Sequence, residues 1–274
     1  MKSKTNGKTR LKGFKRKHLC IPYSIFLILF IIVPILIIVY YAFSDPNTHL
    51  PSFDALVSFF TSFAKIKVLL ISVFVALQTT IICLLIGYPL ALFLANKKYN
   101  KNTVLITLFI APMWINFVLR TGATRDLLTW IHLDGGHFPY LATLIGMVYN
   151  YLPFVILPLY TTMLKTDKSL LEAASDLGAN PVQVFVKAMF PQTVPGIVSA
   201  VMMTFMPTMS SYVISDVLSE NMVTLFGNYI YTEYSLGSWN TASFMALIML
   251  VIIGLSMFLT RNVDKEEDTR TQLW

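Results

Sequence analysis

A chain of 274 residues that is 55% hydrophobic, only 13% charged and has a mean hydropathy of +0.65 stands far from the roughly 25% charged content of soluble domains. Its apolar residues gather in blocks of about 20, the length that crosses a bilayer as a helix, so a soluble domain is excluded and an all-α polytopic membrane protein is expected. The formal charge of +7 does not mark a nucleic-acid binder: eight of the 21 Lys and Arg precede residue 18, in a tail suited to setting topology and touching anionic lipid.

In chain order, the apolar run Ile21–Phe43 comes first. It is longer than the core of about 7–15 residues in a signal peptide and is expected as a retained first span. Segment 53–64, FDALVSFFTSFA, is too short to span and suits an interfacial helix. Further spans are expected at 68–95, 103–123, 141–164, 193–215 and 241–261, six in all. With the N-terminus inside, 17 of the 21 basic residues fall on the inner side. These are the eight of the tail, then Lys97, Lys98 and Lys101, then Lys165, Lys168 and Lys187, then Arg261, Lys265 and Arg270. Only Lys65, Lys67, Arg120 and Arg125 fall outside, so both termini are expected in the cytoplasm. The organisation follows: a basic tail at 1–20, a transmembrane domain at 21–261 with a cytoplasmic loop at about 165–192, and a cytoplasmic tail at 262–274. Cys20 and Cys83 form no disulfide framework and no metal spacing.

The loop carries the most local information. Ser169 and Glu172 have the spacing of a capping box. Leu170, Ala173, Ala174 and Leu177 recur at helical spacing, and Glu172 and Asp176 share another face. Gly178 suits a left-handed helix end, and Asn180 followed by Pro181 suits the start of a second helix. Val182, Phe185, Val186 and Met189 continue an apolar stripe, and breaks are expected at Pro191 and Pro195 on re-entry into the membrane. Periodicity alone leaves two readings: a connector lying on the membrane surface, or a docking element for a cytoplasmic partner.

The run Glu172-Ala173-Ala174-Ser175-Asp176-Leu177-Gly178, with Phe190-Pro191 and Pro195-Gly196 after it, resembles the EAA loop of permease subunits in bacterial binding-protein-dependent ABC importers. The resemblance implies a type I importer permease fold in the bacterial cytoplasmic membrane. It also implies that Glu172, Ala173, Ala174, Asp176 and Gly178 form the contact with the ATP-hydrolysing subunit. Ala111–Thr121, Tyr149–Tyr160, Leu170–Ala179 and Phe205–Leu218, followed by LFGNYI, are similar to the first of two permease subunits in spermidine/putrescine importers. The likeness extends from about 21 to 261. It departs from the family at GATRDLLTWIHLDGGHFPY after Thr121, and at SDVLSENM, where the family often has a glycine pair; both bear on substrate choice. The implied partners are two copies of an ATPase subunit, a second permease, an extracytoplasmic binding protein, a polyamine and membrane lipid, with no cofactor and no nucleic acid.

Ionisable residues near or within spans are few. Arg120, expected near the outer end of the third span, is either a snorkelling interfacial arginine or a structural partner for a carboxylate or a neighbouring subunit. Asp216, expected near the outer end of the fifth, is either an exposed loop-edge carboxylate or a site for cationic amines, helped by Tyr212, Tyr229, Tyr231, Tyr234 and Trp239. Trp114 either lines the path or sits in a helix interface; Asp216, Tyr212, Trp114 and Arg120 are together the residues expected along the substrate path. No G-x-x-x-x-G-K-[ST] loop occurs, so this chain is not expected to hydrolyse ATP itself. His132, Asp134 and His137 lie close in sequence without further ligands, and no metal site or catalytic cluster is expected. An ABC importer permease for another small solute is the alternative, and an ion-driven carrier a further one. The scarcity of carboxylates deep in the spans speaks against the carrier.

Overall fold

The computed structural model of the chain describes residues 16–46, 48, 50–96 and 104–271, and the side chains within them apart from 16–20, 259 and 261–271. The tail before residue 16, His49, and Lys97, Lys98 and Lys101 lie outside the described residues, as do the side chains of Cys20, Arg261, Lys265 and Arg270. Among the described residues five helices are long and apolar enough to cross a membrane, and a bent pair makes a sixth if it counts as one crossing.

The first span, α1 (Ile21–Ala42), has a mean hydropathy of 3.0. Pro34 lacks an N–H and its ring crowds the preceding turn. The helix widens there into a π-turn at Ile28–Ile32, where Val33 N–H reaches back to Ile28 O. The short helix α2 (Asp54–Thr61) forms within the expected 53–64 and buries Ala55 and Phe59. The next span, α3 (Phe63–Ala95), is 33 residues long and starts at Phe63, ahead of the expected 68. Lys65 and Lys67 mark a boundary in hydropathy but do nothing to interrupt a helix.

The expected straight span at 103–123 is not observed. Instead α4 (Val104–Ile110) tightens into a 3₁₀ turn at Ala111–Trp114 and stops, and α5 (Phe117–Trp130) departs at 97°. Pro112 opens the break, and Asn116 caps the new helix by accepting from Val118 N at 2.9 Å and Leu119 N at 3.3 Å.

The central element is α6 (Pro139–Leu164), whose Met147, Val155, Ile156 and Leu159 are fully buried. Opposite it, α3 buries the small residues Ala76, Thr79, Cys83, Gly87 and Ala91. Small residues permit close approach, which lipid-embedded helices need because packing, not exclusion from water, holds them together. A Cβ on Gly87 would come within 2.8 Å of Val155 Cγ1.

After α6 come α7 (Lys168–Asp176) and α8 (Pro181–Ser210). The breaks expected at Pro191 and Pro195 do not occur. A second π-turn, Phe185–Met189, absorbs Pro191 as the first absorbs Pro34, with Phe190 N–H bonded to Phe185 O. The helix ends at Ser210, short of the expected 215, because Ser211 is extended. A separate short helix α9 (Val213–Leu218) follows, then α10 (Phe226–Ser235) and α11 (Trp239–Thr271), which continues past the expected 261. One core lies where α6 packs on α3 and α8. A second gathers Ala42, Ala55, Phe59, Phe226, Phe244 and Met245, where α1, α2, α10 and α11 meet.

Candidate functional site

The 165–192 loop is ordered by its own caps. Asp167, not Ser169, starts α7: its Oδ1 accepts from Ser169 N at 2.9 Å and from Ser169 Oγ at 2.8 Å. A carboxylate at the cap position also meets the positive end of the helix dipole. The expected Ser169–Glu172 box is therefore not formed, and Glu172 points out exposed. At the other end Gly178 N–H bonds Ser175 O at 2.9 Å and Ala179 N–H bonds Ala174 O at 3.1 Å. These two bonds make a Schellman end, with Gly178 at φ +84° as anticipated. Asn180 and Gln183 then cap α8 reciprocally, Asn180 Oδ1 accepting from Gln183 N at 2.9 Å and Gln183 Oε1 from Asn180 N at 3.0 Å.

No residue of α7 is buried. Leu171 and Ala174 turn inward and are half-buried, while Glu172, Ala173, Asp176 and Gly178 face out. Around them Leu170 is 53% exposed, Leu177 89% and Val182 69%. These apolar side chains and the carboxylates Glu172 and Asp176 are thus exposed together on the loop. The sequence reading missed Gln192. Its Oε1 accepts from Asp167 N at 3.0 Å and its Nε2 donates to Ala188 O at 2.8 Å, tying the start of α7 to α8. Tyr88 of α3 adds a second tie, through Thr193 Oγ1 at 2.9 Å and ring contacts to Phe185 and Phe190.

The remaining candidates fall into two places. Asp216 is half-buried on α9 and accepts from Asn228 Nδ2 at 2.9 Å. Tyr212, one turn earlier, stacks on Tyr231 of α10 with ring centroids 5.0 Å apart and planes 11° from parallel. Two side-chain contacts thus join α9 to α10, with the Asp216 carboxylate four residues along the chain from the stacked Tyr212. Trp114, at the break of the bent pair, is 83% exposed.

Arg120 is buried and, among the described residues, forms no ion pair with a carboxylate. It is 8% exposed, donates from Nε to Asn150 Oδ1 at 2.8 Å and from Nη1 to Pro112 O at 2.8 Å, and lies 5.8 Å from the centroid of the Tyr149 ring. The bend turns α5 back across α6, so a residue that a straight helix would place at its end is carried inward. No hydrogen bond, ion pair or ring contact joins Trp114 or Arg120 to Tyr212 or Asp216 among the described residues. In the loop between α5 and α6, His137 Nδ1 lies 3.0 Å from Asp134 Oδ1, and this hydrogen bond holds the Asp134 carboxyl below its ordinary pKa.

Residues 87–267 match the family model of the binding-protein-dependent transport system inner membrane component. The chain is 31% identical over 268 residues to the spermidine/putrescine transport system permease protein PotB of Escherichia coli (strain K12), covering 90% of this chain and 97% of that protein. It is 33% identical over 209 residues to PotB of Haemophilus influenzae, covering 71% of this chain and 73% of the relative. Among solved structures, a bacterial ABC transporter involved in the import of the acidic polysaccharide alginate superposes with a TM-score of 0.60 at 20% identity, over 90% of this chain and 95% of the other. The MetNI methionine ABC transporter superposes with a TM-score of 0.54 at 16% identity, over 75% of this chain and 98% of the other. At those identities the structures speak for the fold alone, which is that of ABC importer permeases. By its family match and its long relatives, the chain belongs to the binding-protein-dependent transport system inner membrane components, as a multi-pass transport subunit.

Proposed function

We propose that this subunit is one of two permeases of an ATP-driven polyamine importer. What carries the reading is the 31% identity to a spermidine/putrescine permease over nearly the whole chain. The second permease completes the path, two ATPase subunits dock from the cytoplasm, and an extracytoplasmic binding protein delivers the substrate. Glu172, Ala173, Asp176 and Gly178 present α7 to the ATPase, and Ala174, the fifth residue of the expected contact, backs them from the inward side. Ala173 allows close approach, the carboxylates suit basic partners, and Gly178 fixes the angle between α7 and α8. When the ATPase pair closes, displacement of α7 pulls on α8 through the Gln192 bridge, and the Tyr88–Thr193 contact passes the movement of α8 on to α3. On the outer side, Tyr212 and Asp216, with Tyr231 beside them, receive the cationic amines. Arg120, cationic and buried, repels such a substrate and lies outside the path.

The test is uptake of labelled spermidine and putrescine in cells lacking the gene, with amino-acid and sugar competitors. The wild-type gene restores uptake and the Glu172→Lys variant does not, although it reaches the membrane in normal amount. Polyamine uptake unchanged by deletion would discard the substrate assignment.

A further inference from the structure

We infer that the cavity between α5 and α6 is a socket for a carboxylate-bearing membrane segment of the second permease, with Arg120 as its counter-charge; this rests on the two-permease reading. The cavity holds about 530 Å³ and is walled by Ile115, Leu119, Thr124, Leu127 and Tyr149, with Arg120 as its charged group. It opens at exposed apolar residues: Leu119 is 70% exposed, and Ile115 and Leu127 are 57% each.

Depth decides what can fill it. Asn150, which holds Arg120 Nε, is residue 12 of the 26 in α6. At 1.5 Å per residue it lies about 17 Å from one end of that helix and about 21 Å from the other. The guanidinium is therefore at mid-height of the bundle. Its Nη2 has no hydrogen-bond partner among the described residues, and its two bonded nitrogens meet only a neutral amide and a carbonyl. A buried cation without a counter-ion is costly, and charges inside membranes pair with one another. Lipid phosphate stays at the interface, about 15 Å from the midplane of a hydrocarbon core about 30 Å thick. An acyl chain fits the walls and leaves the charge unmet, and a polyamine is repelled. A helix carrying one Asp or Glu among apolar residues satisfies both the walls and Nη2.

The experiment uses the assembled importer, extracted from membranes through a tag on this chain. Asn150→Asp puts a carboxylate on Arg120 Nε, where the amide oxygen already accepts, and so neutralises the cation within the chain. Co-purified second permease is expected to fall about tenfold or more, the scale of losing a buried charge pair. Membrane level and bound ATPase are expected to hold. Asn150→Ala, which adds no charge, is expected to keep the second permease. Arg120→Glu is expected to lose it, and a single Asp or Glu to Arg change in a span of the second permease is expected to restore it. Wild-type pairing that survives Asn150→Asp overturns the socket alone. So does an anionic lipid, detected by native mass spectrometry, that leaves with Arg120→Met while pairing persists. Absence of any second permease beside the wild-type chain overturns the two-permease reading, and the socket with it.

Discussion

Replacing Gly178 by alanine separates the shape of the 165–192 loop from its composition. Gly178 sits at φ +84°, and an added Cβ meets no atom within 4 Å, so the substitution brings no clash and changes only the backbone preference. An L-residue in the left-handed region costs about 1–2 kcal/mol. Two bonds, Gly178 N to Ser175 O and Ala179 N to Ala174 O, depend on that conformation. At 1.4 kcal/mol per factor of ten, the population holding the turn falls about 5- to 30-fold relative to its open forms. Asparagine tolerates positive φ better and should cost less, and valine, branched at Cβ, should cost more. The assay is the dissociation constant of the purified ATPase subunit for the importer in nanodiscs, measured beside uptake. Affinity should fall in the order Gly, Asn, Ala, Val, with the folding temperature of the membrane domain unchanged. Equal affinity for Gly178→Ala and wild type, or a weaker Asn than Ala variant, would refute the argument that the turn orients α7.

Gln192→Ala removes the acceptor for Asp167 N–H and the donor to Ala188 O, two bonds worth about 1 kcal/mol each. Amide exchange at Asp167 should speed up roughly tenfold, with transport reduced and insertion normal, whereas Gln192→Glu keeps the acceptor and should restore most of the protection. Gly135→Ala drives a Cβ into the backbone carbonyl of Leu218, which cannot move aside as a side chain would. It should cost about 1–3 kcal/mol, seen as a lower unfolding temperature in detergent. The Asp134–His137 contact has a lowered carboxyl pKa, so its contribution is present above the ordinary carboxylate pKa, about 3.9, and is lost as pH falls through the lowered value. Exchange at Phe138 N–H, which bonds Asp134 O at 2.9 Å, should be protected alike at pH 7 and pH 5 in relative terms and lose that protection only below the carboxylate range.

The spans were legible because about 20 apolar residues have few other uses, and Gly178, Asn180 and Pro181 because each has a strong local preference. Asp167 was not chosen over Ser169 because both are good caps two residues apart, and the carboxylate wins only once the hydroxyl turns round to donate to it. The bent pair escaped because a hydropathy window averages across Pro112 and Asn116 as though the axis were straight, and the burial of Arg120 escaped with it. Gln192 had no local signature, since Asp167 is 25 residues away and becomes its neighbour only after α7 folds back. The helix through Pro191 was hidden by a rule that is sound for ordinary helices, in which proline leaves an unmet carbonyl; a π-turn removes that objection.

The continuity of α8 makes it a lever. Its 30 residues run from the capped loop to Ser210, two residues before Tyr212. That is about 45 Å of rod, so a tilt of about 5° at its foot displaces its head by about 4 Å. A displacement of that size exceeds a hydrogen-bond length and is enough to alter the spacing of the Tyr212–Tyr231 stack. On the proposed coupling role, a stroke delivered at the capped loop would need no chain of side chains to be felt at the far end of α8.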